Sequence, residues 1–345
     1  MSNVMQTAIS NLVQGKNLNR AESKKLMLKL LNGEATDAQI AAFLVALRMK
    51  GETVEEVAGV VEAINTKTLR VPAKIDDMVD TCGTGEDNLN TFNISTAAAL
   101  VAAGAGVVIA KHCNQSISSK CGSSDVLMAL GVNLDVSPAE LSRCLSEIGI
   151  AFLFAPRLQT AGRYALGPRK EIGVRTIFNI LNPLTNPAGI KRQLIGVYDR
   201  GLVRLVVEVL KELGSVQVMA VHGCEGLDEI SISGPTIIGE LVDDNIYEYM
   251  IRPDNFGMET APIQNIQSQS IKDNKRLLLD VLHGVPSAAL NIVLLNAGAA
   301  IKVGGEVDSI WEGISRARQS IESGAALDKL EKLKEFTNRV NLIQE

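Results

Sequence analysis

The chain has 345 residues, of which 46% are apolar and 21% charged, and its formal net charge is -5. That length holds two domains and a sizeable core, and the composition excludes general disorder. The acidic balance leaves no nucleic-acid footprint, so an anionic ligand must be held by local donors or a metal ion. Five cysteines (Cys82, Cys113, Cys121, Cys144 and Cys224) follow no disulfide-framework spacing, which fits a reducing compartment. No secretory pattern opens the sequence and no apolar run reaches membrane length, so the expectation is a cytoplasmic globular protein that binds neither membrane nor nucleic acid.

Residues 1–72 are helical by their punctuation. Asn19 with Glu22 signals a helix start ahead of Leu26, Leu28, Leu30 and Leu31, and Gly33 stops the segment. Thr36 with Gln39 is a capping-box pattern, followed by the stripe Ile40, Phe43, Leu44 and Leu47 up to Gly51. Thr53 with Glu56 opens a third helix bearing Val57, Val60, Val61 and Ile64, and Pro72 marks the crossing into a different pattern.

From about residue 75 strands and helices alternate. A short strand ends at Val79, a glycine-bearing loop spans 80–88, and residues 97–103 form an apolar helix stopped by Gly104. Residues 107–110 read as a buried strand, 123–129 as a helix, Ser137-Pro138 as a helix start and 150–154 as another strand. Residues 156–189 interrupt this order with Arg157, Arg163, Arg169 and Arg175 and a proline-rich turn at 182–187; they read as a helical insertion packing back on the N-terminal unit. Strands resume at 194–197 and 216–221, an antiparallel hairpin pairs 237–241 with 246–251, and the tail from Ser287 is helical, with Trp311 and Leu330 on helix faces. The fold class is therefore α/β: a small all-α N-terminal domain (1–72, with 160–187 packing on it) plus a larger α/β domain (73–159 and 188–345) whose mostly parallel central sheet is flanked by helices.

Three loops carry candidate chemistry. In the first, Gly83 and Gly85 let backbone approach an anion, and the polar run Thr91, Asn93, Ser95 and Thr96 leads into a helix whose N-terminus offers unpaired donors. The second runs from Lys111 at a strand end through a polar, hydroxyl-rich stretch to Ser123, a composition that wraps an anion or simply faces water. The third is Gly226-Leu227-Asp228-Glu229, whose adjacent carboxylates suit a magnesium ion shared with phosphates or a solvated turn. Arg169 suits a carboxylate ligand or an ordinary surface role. His112 with Cys113 and His222 with Cys224 match no zinc spacing, and no hydrolase triad appears.

On these motifs, together with 45–52, 175–179, 183–187 and 295–298, the chain resembles the anthranilate phosphoribosyltransferase family over almost its whole length. The resemblance implies phosphoribosyl pyrophosphate and anthranilate as substrates, Mg2+ as cofactor, and a homodimer built through the helical domain. It places Gly83, Glu86, Asp87, Thr91, Asn93, Ile94, Ser95, Thr96, Lys111, His112, Cys113, Asn114, Gln115, Ser116, Ile117, Ser118, Ser119 and Ser123 around the phosphoribosyl donor. It gives Gly83, Asn114 and Arg169 to the aromatic acid and Ser95, Asp228 and Glu229 to the metal, with positioning and electrostatics and no covalent residue. The sequence departs from the family at Glu86 and Asn88, usually glycines, and at Cys113, Gln115, Gln159 and Asn182. Glu86 must point away, join the metal shell or weaken donor binding, while Asn88 tolerates a left-handed backbone. A paralogue with another aromatic acceptor and a non-catalytic binding or regulatory relative are the alternative readings.

Overall fold

The computed structural model describes residues 4–114, 121–159 and 162–341. The chain opens with α1 (Val4–Val13), α2 (Arg20–Leu31), α3 (Asp37–Lys50) and α4 (Val54–Asn65). The starts of α2, α3 and α4 are reciprocal capping boxes at Asn19/Glu22, Thr36/Gln39 and Thr53/Glu56, as the sequence predicts. Helix α1 has no such start signal and is held instead by burial of Met5, Ala8 and Leu12.

The α/β part is one seven-stranded sheet made of β1 (Val79–Asp80), β2 (Ile109–Cys113), β3 (Ile150–Phe154), β4 (Arg192–Gly196), β5 (Gln217–Gly223), β6 (Thr236–Val242) and β7 (Asn245–Ile251). Its spatial order is β3-β2-β1-β4-β5-β6-β7, with β6 antiparallel to both neighbours and the other pairings parallel. The β6–β7 hairpin turns through Asp243 and Asp244, both left-handed at φ 49° and 62°, as a tight two-residue turn requires. Since β1 lies between β2 and β4, the chain leaves it toward one side of the sheet and returns on the other. In open α/β sheets that reversal makes a crevice beyond the carboxyl ends of the strands.

The helices of this part are α5 (Ile94–Gly104), α6 (Ser123–Ala129), α7 (Pro138–Ile148), α8 (Ala155–Leu158), α9 (Arg163–Ile172), α10 (Phe178–Leu184), α11 (Leu202–Glu212), α12 (Ile271–Leu282), α13 (Ala288–Val303), α14 (Ile310–Glu322) and α15 (Ala325–Asn341). Strand side chains alternate between two cores, the period of two expected of a sheet covered on both faces. Leu194, Met219 and Val221 face the core that holds α5 and α13, whereas Ile195, Val218 and Ala220 face the one that holds α11 and the N-terminal helices. Helix α5 is buried almost all round, as its alanine-rich composition allows. In the insertion, Ala165, Ile177, Ile180, Leu181 and Leu184 join the core of the N-terminal helices.

Two local expectations change. The strand read at 107–110 lies at Ile109–Cys113, because parallel pairing with all of Ile150–Phe154 carries the ladder on, and the polar Lys111 and His112 find internal partners. The proline-rich turn begins later than its composition indicates, because Asn182, Pro183 and Leu184 complete α10. Among the described residues, no helix is long and apolar enough to cross a membrane.

Glu56 ties the helical unit together. It is fully buried, and its carboxylate accepts from Leu18 N (2.9 Å), Thr53 N (2.9 Å), Thr53 Oγ1 (3.0 Å) and Lys50 Nζ (2.8 Å). Replacing it by alanine strands two backbone donors and removes the counter-charge of the buried Lys50 ammonium, which keeps only the neutral Gly51 carbonyl and Asn17 Oδ1. Glu56→Ala should therefore lower unfolding free energy by about 3–5 kcal/mol in chemical denaturation. A loss below about 1 kcal/mol would show that the hub is dispensable.

Candidate active site

Segments following β1, β2 and β5 meet in one cavity over the crevice, lined by parts of 82–95, Lys111, His112, Asn114, residues 121–123, Asn182, Asp228 and Glu229. Two glycines make room for the acidic corner. A Cβ on Gly196, the last residue of β4, would lie 1.4 Å from the Asp228 carbonyl oxygen, and one on Gly83 would lie 2.7 Å from Asp228 Oδ2. Only hydrogen fits at these positions, so the Asp228 segment beds directly on the end of the sheet. The Gly85 N–H donates to Asp228 Oδ2 at 2.7 Å, Thr84 N to the Gly196 carbonyl at 2.8 Å, and Tyr198 N to Thr84 Oγ1 at 3.1 Å.

Glu229 turns to the start of α5 and accepts from the Ser95 N–H at 3.1 Å. The first amides of that helix are engaged, contrary to the expectation of unpaired donors: Ile94 N donates to the Phe92 carbonyl and Asn93 N to Asn274 Oδ1. Lys111 is almost fully buried and donates to the Thr81 carbonyl (2.6 Å) and Ser95 Oγ (3.1 Å), backing the site from within the sheet. Beneath it Asp80, also buried, accepts from His112 N (3.1 Å) and Asn186 Nδ2 (2.7 Å).

These carboxyls crowd negative charge into a dry place. Burial pushes Asp228 up to about 7, with the charge of Asp87 adding to the effect. Glu229 rises to about 8 by burial and by the charge of Asp228, against the pull of Lys111. Asp87 is raised by burial as well, and Asp80 reaches about 6 despite Lys111. Burial drives His112 down to about 4, so its imidazole is neutral. Its Nδ1 lies 2.7 Å from the Asn182 carbonyl, which only accepts, so Nδ1 carries the proton and the buried Nε2 is left as an acceptor without a partner among the described residues.

Of the residues singled out from sequence, Gly83, Glu86, Asp87, Thr91, Asn93, Ile94, Ser95, Lys111, His112, Asn114, Ser123, Asp228 and Glu229 line this cavity. Three do not: Thr96 faces the core, Cys113 is buried past the wall, and Arg169 lies on α9 with its guanidinium 5.0 Å from the Phe178 ring centre. Gln115, Ser116, Ile117, Ser118 and Ser119 lie outside the described residues. Sequence reading missed the wall residues Cys82, Thr84, Asn90, Phe92, Cys121, Gly122 and Asn182. Most flank residues it did choose, and Asn182, noted only as a departure from the family pattern, is placed on the wall by its contact with His112. It also missed that Asp87 faces Asp228, which depends on the juxtaposition of distant loops. Of the three fates open to Glu86, the structure shows the first: its carboxylate points away, to Asn179 and Arg175. Glu86, Asn88 and Asn90 all adopt left-handed backbone, at φ 67°, 58° and 53°.

A helical bundle joined to a parallel α/β sheet, with an acidic corner above a glycine loop, defines a class of transferase. The helical bundle domain of the glycosyl transferase family matches residues 6–67, and the a/b domain of that family matches 75–327. Anthranilate phosphoribosyltransferases of Desulforamulus reducens (47% identical, covering 96% of each chain) and Nitrosospira multiformis (48%, covering 97% of each) are similar over nearly the full length. Among solved structures, anthranilate phosphoribosyltransferase of Thermus thermophilus superposes with a TM-score of 0.91 at 35% identity, covering 96% of this chain and 99% of that one. The Saccharomyces cerevisiae enzyme in complex with PRPP and Mg gives 0.88 at 26%, covering 98% and 99%. The chain belongs to the anthranilate phosphoribosyltransferase family.

The raised carboxyls fix a pH response. Their folded values lie above the unfolded ones, so the folded chain binds more protons and stability is lost as pH rises through about 7 to 8. His112, lowered to about 4, acts oppositely, but its contribution is complete once pH passes its unfolded value near 6.5. In divalent-free buffer the melting temperature should fall between about pH 6.5 and 8.5, and Asp228→Asn with Glu229→Gln should flatten the slope. A rising or flat wild-type profile in scanning calorimetry would contradict this charge assignment.

Proposed function

We propose that the protein transfers the 5-phosphoribosyl group of phosphoribosyl pyrophosphate to the amine of anthranilate and releases pyrophosphate. The observation that carries this reading is the packing of Asp87, Asp228 and Glu229 against the glycine loop and the α5 N-terminus. Membership of the family supplies the substrates.

The oxygen-rich corner fits magnesium. Its donors are hard, burial and mutual repulsion hold its carboxyls back from ionising until a cation compensates them, and no preformed group of three or more His, Cys, Asp or Glu ligands exists among the described residues. That suits an ion held by one or two carboxylates and completed by substrate phosphates and water. Asp228, Glu229 and the Ser95 hydroxyl would hold it, with Asp87 alongside. When bound, magnesium supplies charge compensation to the pyrophosphate leaving group.

The chain's own residues do the rest. Backbone at Gly83, with Thr91, Asn93, Ser95, Asn114 and Ser123, grips the donor, and Lys111 keeps the floor of the site positive on its buried side. The arylamine nitrogen attacks the anomeric carbon as the bond to the pyrophosphate oxygen breaks, and its proton leaves to solvent. A weak nucleophile of this kind gains chiefly from alignment, so Arg169 takes the acceptor carboxylate, with Gly83 and Asn114 bordering the ring. His112, neutral at working pH, offers an acceptor and no general acid. We further assign the helical domain to 1–72 with 160–187, the α/β domain to 73–159 and 188–345, and the protein to the cytoplasm. Exposed Val13, Met49 and Leu166 on α1, α3 and α9 support a homodimer through the helical domain.

The reading is tested by mixing protein, phosphoribosyl pyrophosphate, Mg2+ and anthranilate and following anthranilate fluorescence. Decay is expected, and Asp228→Asn should slow it by roughly 10²-fold or more. Absence of decay with wild-type protein, or full activity in the variant, would reject the assignment.

A further inference from the structure

Glu86 begins at the donor cavity and ends outside it. The residue lines the cavity, yet its side chain reaches residues that do not. Oε1 accepts from Asn179 Nδ2 at 2.5 Å, and Oε2 stands 3.6 Å from Arg175 Nε. Arg175 also donates from Nη2 to the Glu86 carbonyl at 2.5 Å, and its guanidinium lies 4.1 Å from the centre of the Tyr198 ring. Asn179 is itself fixed, because the Thr176 N–H donates to its Oδ1 at 2.7 Å. Arg169, on α9 of the same insertion, is part-buried over Phe178; burial lowers its pKa and the charge of Glu86 opposes that. A non-glycine side chain at φ 67° carries a conformational cost, which these contacts offset. The loop is thus tied to the helical insertion by a carboxylate that engages Arg175 and Asn179 and whose charge is felt at Arg169.

We propose that Glu86 is an internal counter-anion that competes with the acceptor's carboxylate for this arginine cluster, and so sets acceptor affinity and selectivity. The inference rests on the reading of the acceptor as an aromatic acid gripped by Arg169. Its logic is electrostatic: a fixed negative charge beside the recognising cation weakens every incoming carboxylate and leaves an uncharged analogue untouched. Glu86 is a positioning residue, because it acts through the arginines and touches none of the reacting atoms.

Glu86→Gln keeps the shape and an oxygen for Asn179 while removing the charge. The expected results are a fall of about fivefold or more in the KM for anthranilate, and an equal fall in the calorimetric Kd for 2-hydroxybenzoate, which lacks the nucleophilic amine. Affinity for 2-aminobenzamide, which has no carboxylate, should stay within about twofold. Glu86→Asp, with its charge drawn back by one methylene, should lie between wild type and Gln, and it carries the test if the Gln variant does not fold. Unchanged or weaker carboxylate binding, or an equal change for the neutral amide, would overturn the proposal. If wild-type protein fails to consume anthranilate while Glu86→Gln still tightens 2-hydroxybenzoate, the counter-anion stands and the assigned reaction falls.

Discussion

Removing negative charge from water is costly, and Asp228 and Glu229 are buried together at the end of a parallel sheet with Asp87 beside them. Their mutual repulsion is tolerated because surrounding groups are aimed at them: the Gly85 amide at Asp228, the Ser95 amide and the positive end of α5 at Glu229, and Lys111 below. Each donor comes from a different segment. The strand order, the glycine at the end of β4 and the placement of α5 are therefore all conditions for one acidic corner, and a cation would relieve a tension the fold has already built.

Lys111 shows how far that tension shapes the scaffold. In the sequence it looks like a phosphate-binding lysine at a strand end. In the structure it lies within β2, almost fully buried, with its ammonium on the Thr81 carbonyl and the Ser95 hydroxyl. Its charge is opposed from below by Asp80 and from above by Glu229. A lysine so placed orients Ser95 and sets the potential of the cavity floor while itself forming part of the lining. The layered order of carboxyl, ammonium and carboxyl explains how a parallel strand can carry a lysine and a histidine without fraying.

What could be read in the sequence follows the range of the interactions involved. The capping boxes at Asn19, Thr36 and Thr53 were legible because both partners lie within one turn, and the turn through Asp243 and Asp244 was legible for the same reason. The cavity residues at 83–95 and at Asp228 and Glu229 were legible through motif and resemblance. The boundary of β2 was not, because Lys111 and His112 are polar and only tertiary bonds make them strand residues. Thr96 and Cys113 were included by adjacency, yet each side chain is carried away from the cavity by the next step along its helix or strand. Helix α12 announced itself only through Ser270 with Asp273, a cap that precedes a charged stretch and is easily passed over. The pairing of Asp87 with Asp228 depends on sheet order, which no local pattern encodes.

The glycine loop shows where sequence and structure disagree most usefully. Three of its residues, Glu86, Asn88 and Asn90, hold left-handed backbone without being glycine. Asn88 and Asn90 belong to a residue type that tolerates such geometry, whereas a glutamate does not, so its presence calls for a compensating contact. That contact is with Arg175 and Asn179 in the helical insertion, so the residue that strains the glycine loop is also the one that ties it to the segment bearing Arg169. A residue that in the sequence looks like an obstruction thereby becomes a link between the glycine loop and the helical insertion. Backbone strain and ion pairing are settled at the same residue: the loop keeps its shape because the carboxylate is held, and the arginines keep theirs because the loop presents it.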